Sequence, residues 1–352
     1  MKRGTRVVEW FSLAVLAMAA SSIVRVRSHG EQPLARIAVY ETVFALDGRA
    51  TIKASPSVLE LTGQNAEWIS LDYSSPNPSN DDWIGVFSPA NFSASTCPPE
   101  NAVVRQPFLC SAPIKYQYAN YSSPRYENTG KGSLKLQLNN QRSDFSFALF
   151  SGGISNPKLI TASNTVAFAN PKAPVYPRLA QGKEWNEMTV TWTSGYGIAE
   201  AQPFVEWGPQ GRQKMRSLAG TLTFDHSSMC GAPARTVGWP DPGFIHTSFL
   251  KELWPNSLYH YKLGHKLLNG SYIWSQKYRF RASPYPGQNI LQRVVIFGEM
   301  GKDEADGSNK YYNFQRGSLN TTHQLFKDLK NIDIVFHIGD ISYAIGYLSQ
   351  WN

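Results

Sequence analysis

Two acidic side chains, Glu299 and Asp340, each close a short apolar run, and a phenol, Tyr343, stands three residues beyond the second. Anionic oxygen donors suit a hard metal ion, and a carboxylate can share its lone pairs between two such ions. The run before Glu299 is Val294-Val295-Ile296-Phe297, stopped by Gly298, and the run before Asp340 is Ile332 to Ile338, stopped by Gly339. Between them a polar, Gly-containing loop leads into a helical pattern from about Ser318 to Lys330. Strand, helix, strand predicts a βαβ unit with both carboxylates at its carboxyl edge, where open α/β sheets place their chemistry.

The text around these residues, FGEMG followed by HIGDISYA, resembles the first two metal-binding blocks of the purple acid phosphatases, in the metallophosphoesterase superfamily. Those blocks normally read GDxG and GDxxY, and the flanking stretch from Lys302 to Trp351 is similar to the long plant members over its whole length. The resemblance implies that Asp340 bridges two metal ions and that Tyr343 is the phenolate bound to Fe(III). It implies a hydrolase of phosphomonoesters or phosphodiesters at acidic pH, with Fe(III) and a divalent ion (Zn, Mn or Fe) that orient the ester and activate water. Two departures stand against the match. Glu299 occupies the position of the family's Asp, and its extra methylene moves the carboxylate by about 1.5 Å. The sequence ends at Asn352, nine residues after Tyr343, and contains none of the later blocks that supply the Asn and His ligands. Glu299, Asp340 and Tyr343 are therefore the metal candidates. No complete catalytic set is expected, nor a stably held metal, and turnover is expected to be absent. His337, inside the second apolar run, reads as structural, because the family's ligand histidines come from the later blocks.

Other chemistries find less support. The acidic loop Asp303-Glu304-Ala305-Asp306-Gly307 lacks the alternating oxygens and closing Glu of an EF-hand and reads as a solvated loop. Neither a P-loop nor a G-x-S-x-G elbow is present.

Residues 1–30 combine a basic start with the apolar run Trp10 to Ala20 and small residues after it, which predicts a cleaved secretory signal. An uncleaved anchor is the alternative, since Arg25 and Arg27 flank the far side, but the run is short for a span of about 20 residues. Of the net charge of +8, the segment up to residue 30 holds +4 (Lys2, Arg3, Arg6, Arg25 and Arg27 against Glu9). The remainder is spread along the chain and reads as solvation, with neither a nucleic-acid partner nor stable membrane insertion expected. Secretion to the apoplast or cell wall is expected, with the vacuole as the alternative compartment. It gives meaning to the sequons at Asn91, Asn120, Asn269 and Asn320. Cys97 and Cys110 lie thirteen residues apart among prolines and suit a loop disulfide, with two unpaired thiols as the alternative. Cys230 is left over, either free or paired elsewhere.

In front of the βαβ unit the pattern is β throughout, so the predicted fold is mainly β: two fibronectin-like β-sandwich modules and an incomplete α/β metallophosphoesterase domain. Residues 31–170 show short strands such as Trp68–Tyr73, Trp83–Phe87, Leu134–Leu138 and Phe145–Phe150 between turn signals, a β-sandwich. Residues 171–286 begin with a Pro-rich connector, Pro171 to Pro177, read as extended and outside any central strand. They continue with strands Met188–Trp192 and Phe204–Trp207 and with Leu253-Trp254-Pro255-Asn256-Ser257-Leu258-Tyr259, which resembles the tyrosine corner of fibronectin type III domains. Residues 287–352 are the start of the catalytic domain. Neither β module shows a chemical constellation, and His246 and His260 read as packed or surface residues. The competing function is a non-catalytic secreted protein that binds a glycan or a protein through its β modules. A third reading is a fragment of a complete enzyme acting on a phosphate ester. A homodimer is open as the assembly.

Overall fold

Alternating apolar residues set the strands of the first module, and the computed structural model shows which face each one buries. It describes residues 42–59, 65–90, 108–109, 113–229, 241–287, 292–301, 303–309 and 317–339. Residues 1–30, Asn91, Cys97, Cys110, Cys230, Asp340 and Tyr343 lie outside the described residues.

The strands of the first module are β1 (Thr42–Phe44), β2 (Thr51–Ser55), β3 (Val58–Leu59), β4 (Ala66–Ser74), β5 (Trp83–Phe87), β6 (Phe108–Leu109), β7 (Lys115–Tyr118), β8 (Lys131–Asn139), β9 (Ser146–Ser151), β10 (Lys158–Ala162) and β11 (Ala167–Phe168). One layer runs β6-β1-β10-β9-β5-β7, the other β2-β4-β8, and β11 pairs β3 beside them. Ile69, Leu71 and Tyr73 of β4 and Leu134, Leu136 and Leu138 of β8 point inward at every second residue and meet Ile84, Val86, Phe147 and Leu149 in one core. Strand β5 is buried on both faces, because Trp83 and Phe87 join Tyr116 and Phe150 in a second cluster on the outer side. A single helical turn, α1 (Tyr126–Thr129), delivers Tyr126 to the core, where its hydroxyl donates to Asp82 Oδ2 at 2.7 Å. Burial pushes both the phenol and the carboxyl up in pKa.

The second module comprises β12 (Val175–Gln181), β13 (Met188–Ser194), β14 (Ala201–Pro209), β15 (Met215–Leu222), β16 (Phe244–Leu250), β17 (Leu258–Leu267), β18 (Tyr272–Trp274) and β19 (Tyr278–Arg281). The order is β12-β13-β16-β15-β14-β17-β18, with β19 on β17. Strand β15 joins the two layers by changing partner along its length. Met215 to Leu218 pair with β14 and Ala219 to Leu222 pair with β16, so the sheet turns a corner there. Val190, Trp192, Val205, Trp207, Tyr259 and Leu263 fill the space between. The tyrosine corner is present: the Trp254 backbone N–H donates to Tyr259 Oη at 2.9 Å, and the Tyr259 ring stacks on Phe280.

The Pro-rich connector runs into the fold at a sheet edge and not in a central strand. Pro177 lies inside β12, which is possible because β12 is an edge strand and a proline there forfeits no ladder bond on its outer side. The pairing with β13 slips between Val175 and Arg178, across Tyr176 and Pro177.

The βαβ unit consists of β20 (Val294–Phe297), α2 (Gly317–Lys327) and β21 (Ile334–His337). The two strands are parallel, in register from Val294↔Ile334 to Phe297↔His337. The helix is shorter than its periodicity suggests, because the chain tightens into a 3-10 turn at Leu329–Asn331 before entering β21.

Candidate functional site

Parallel pairing brings the carboxyl ends of β20 and β21 side by side. The Ile338 N–H donates to the Phe297 carbonyl at 2.9 Å, and a Cβ built on Gly298 would lie 3.5 Å from the Gly339 carbonyl oxygen. Glu299 therefore emerges beside Gly339, the residue before Asp340. Its backbone is left-handed, φ 51°, a conformation uncommon in a residue other than glycine and often tied to function. The carboxylate is exposed. At the opposite end of the unit Arg293 and Asp333 form an exposed ion pair, Nε to Oδ2 at 3.1 Å. Among the described residues no group of three or more His, Cys, Asp or Glu side chains converges, so these residues do not by themselves fit a dinuclear metal centre. The His337 ring packs edge-on against Phe297, and neither of its nitrogens finds a hydrogen-bond partner among the described residues.

The ribbon has the composition of an interior sheet. Ile296, Phe336 and Ile338 are exposed, as are Phe326 of α2 and Leu329 beyond it. Parallel sheets normally bury both faces, so these side chains belong to a surface that calls for cover.

The acidic loop corrects the expectation of a solvated segment. Asp306, Ser308 and Asn309 are buried, and the loop lies against the first module. Lys115 of β7, 1% exposed, donates through Nζ to Asp306 Oδ2 at 2.8 Å and to the Gln137 carbonyl at 2.9 Å, with Glu304 Oε2 at 3.3 Å. Asp306 Oδ2 also accepts from the Gln137 N–H of β8 at 2.9 Å, while its Oδ1 accepts from Ser308 N. Desolvation works to raise the Asp306 pKa, but the Lys115 charge and the hydrogen bonds outweigh it and hold the carboxyl below its ordinary value. Asn309 exchanges two bonds with Tyr116, N–H to carbonyl and backbone N–H to Oδ1, both at 3.0 Å, and Gln117 Nε2 donates to the Gly307 carbonyl. Gly307 has φ 73° and sits under Tyr121, whose hydroxyl would lie 2.1 Å from an added Cβ. A lysine inside the strand text Ile114-Lys115-Tyr116-Gln117 was the available signal, since a buried lysine demands a carboxylate. Sequence reasoning missed it.

A second buried polar group lies at one end of the second module's core. His246 Nε2 is 2.8 Å from Ser194 Oγ and its Nδ1 is 2.8 Å from Thr221 Oγ1. His265 Nε2 accepts from Trp192 Nε1 at 3.2 Å, and the two imidazoles are 4.9 Å apart. His246 is thus packed, one of the two expectations stated for it. His265 was not singled out, although Tyr259, Tyr261, Leu263 and His265 share the inward face of β17. His260 sits near the surface beside Gln210. Of the sequons, Asn269 is exposed at the β17–β18 turn, with Oδ1 accepting from Ser271 N and Oγ, and Asn320 is exposed on α2. Asn120 donates to Asn80 Oδ1 at 3.2 Å.

Two β-sandwiches, the second with a tyrosine corner, are followed by a parallel strand–helix–strand unit whose carboxyl edge carries Glu299. Residues 52–170 match the Fn3-like domain of purple acid phosphatase, and residues 174–282 match the purple acid phosphatase N-terminal domain. The chain belongs to the purple acid phosphatase family. It is 66% identical over 340 residues to a protein of Arabidopsis thaliana named probable inactive purple acid phosphatase 1, covering 97% of this chain and 56% of that one. A Hordeum vulgare protein named nucleotide pyrophosphatase/phosphodiesterase is 63% identical over 84 residues, 24% of this chain and 23% of that one. The solved structure of a purple acid phosphatase from yellow lupin (Lupinus luteus) seeds is 70% identical with a TM-score of 0.80, covering 87% of this chain and 53% of that one. The chain spans about half the length of the full-length Arabidopsis relatives it matches. Its family is metal-dependent.

Proposed function

We propose that this chain is a secreted, glycosylated member of a lineage that hydrolyses phosphate esters with an Fe(III)–M(II) centre, and that it does not itself turn such esters over. The observation that carries the reading is the carboxyl edge of β20 and β21. Glu299 stands there where the family has Asp, one methylene longer and on a left-handed backbone. Metal–oxygen distances are held to about 0.2 Å, so a ligand displaced by about 1.5 Å is mismatched unless its strand moves. The names of the Arabidopsis relatives, which include the word inactive, agree with this reading, and the barley relative's name indicates the ester chemistry of the lineage. Glu299, Asp340 and Tyr343 are the residues we assign to what is left of the metal site. The basic, apolar N-terminal segment and the sequons support secretion to the apoplast or cell wall.

Metal content tests the assignment. The purified chain, loaded with Fe(III) and Zn(II) and then gel-filtered, is expected to retain much less than one iron per chain and to stay colourless. Two tightly held ions with a visible phenolate-to-iron absorption that disappears in Tyr343→Phe would refute it.

A further inference from the structure

The first sandwich has an open side. Among the described residues β7 is the last strand of one layer and β8 the last of the other, so both have an outer edge that no further described strand pairs. Residues 303–309 fill that side. Asn309 pairs with the outer edge of β7 at Tyr116, and the single carboxylate of Asp306 accepts from Lys115 on β7 and from the backbone of Gln137 on β8. One side chain thus joins the two layers, from 191 residues away in the chain in the case of Lys115. Glu299 lies only a few residues before the loop, so the loop is also the tether of the β20 end.

We propose that the first sandwich is completed in cis by the acidic loop and that this contact positions the carboxyl end of β20, with Lys115 and Asp306 as the positioning residues. The first module is then a discontinuous unit, residues 42–170 together with 303–309, and its β7–β8 side is a receptor for a loop bearing a buried carboxylate. The charge pair supplies the specificity. Removing Asp306 leaves the buried Lys115 with Glu304 Oε2, 3.3 Å away, as its remaining counter-charge, and removing Lys115 leaves Asp306 buried without its cation, whereas neutralising both removes the penalty at the buried pair. The proposal rests on the reading of the β20 end as the functional edge, and it deepens that reading by naming what holds the edge in place.

Amide hydrogen exchange on the full 352-residue chain, with no metal or phosphate ester present, tests it. In Asp306→Asn, exchange at residues 298–301 should rise by about tenfold or more, together with that of 303–309, while amides of β13 in the second module stay as they are. The double variant Asp306→Asn with Lys115→Met should bring residues 298–301 back to within about threefold of the parent chain. Exchange that rises in 303–309 but not in 298–301 would overturn the proposal, because the loop would then lift away without moving the strand end. Where Asp306→Asn unfolds the first module altogether, Gly307→Ala gives a second reading. It displaces the loop against Tyr121 and leaves both charges in place, so the same rise at 298–301 is expected, and no rise there overturns the proposal. A chain that proves to release phosphate would refute the functional reading without altering these exchange rates.

Discussion

Trp83→Ala is expected to destabilise the first module by about 3–5 kcal/mol. Trp83 is fully buried on the outer face of β5, stacked on Phe150 with ring centroids 4.2 Å apart and set edge-on to Tyr116. Its indole N–H donates to the Gly153 carbonyl at 3.0 Å, so truncation removes the largest side chain of that cluster and a hydrogen bond at once. The cavity cannot close easily. Strand β5 is fixed between β9 and β7, and a Cβ on Gly85 would lie within 3.2 Å of Phe87, Trp83 and Phe150, so the rings already pack tightly across that glycine. Urea denaturation followed by the fluorescence of the remaining tryptophans measures the loss. A change below about 1 kcal/mol would mean that Trp83 is not part of a packed core.

Acidification is expected to weaken the second module, starting near pH 6.5. Burial pushes the His246 pKa down to about 4, and burial with the neighbouring His246 ring pushes His265 down to about 3. In the unfolded chain both titrate near 6.5. Between the folded and unfolded values the unfolded state binds more protons, so stability is fully present above pH 6.5 and falls as the pH drops towards 4. Each histidine costs about 1.4 kcal/mol per pH unit over that range, or about 2.8 kcal/mol for the pair. The groups facing the pair are Ser194, Thr221, Trp192 and Tyr196, none of which offers a counter-charge at these pH values. Urea midpoints at pH 7 and pH 5 should therefore differ strongly for the native chain. His265→Gln should reduce the slope by about half, whatever it does to the midpoint at pH 7. A flat profile in the native chain would show that the imidazoles are not held neutral.

What could be read from the sequence was local. The tyrosine corner needs only a Leu-x-Pro turn and the phenol that follows it, and it is present at Trp254 and Tyr259. The parallel β20–β21 pair was legible because two apolar runs flank one helical pattern and the handedness and packing of such a unit leave few alternatives. Two things escaped. The acidic loop looked solvated because its neutralising lysine is far away in the chain and nothing local pairs the two. The His246–His265 pair needed both strands in register, although the inward alternation of Ser194, His246, Ser248, Leu263 and His265 was a signal that a period-of-two reading could have used.

Phosphate release is the most direct measurement of the central claim. The purified chain, supplied with Fe(III) and Zn(II) or Mn(II) at pH 5, would be assayed with an aryl phosphate and with a nucleotide diester beside Asp340→Ala. We predict that the two proteins give the same rate, at the level of the solution without enzyme. Turnover that survives purification and vanishes in Asp340→Ala would contradict the account, and would mean that Glu299 serves in place of Asp.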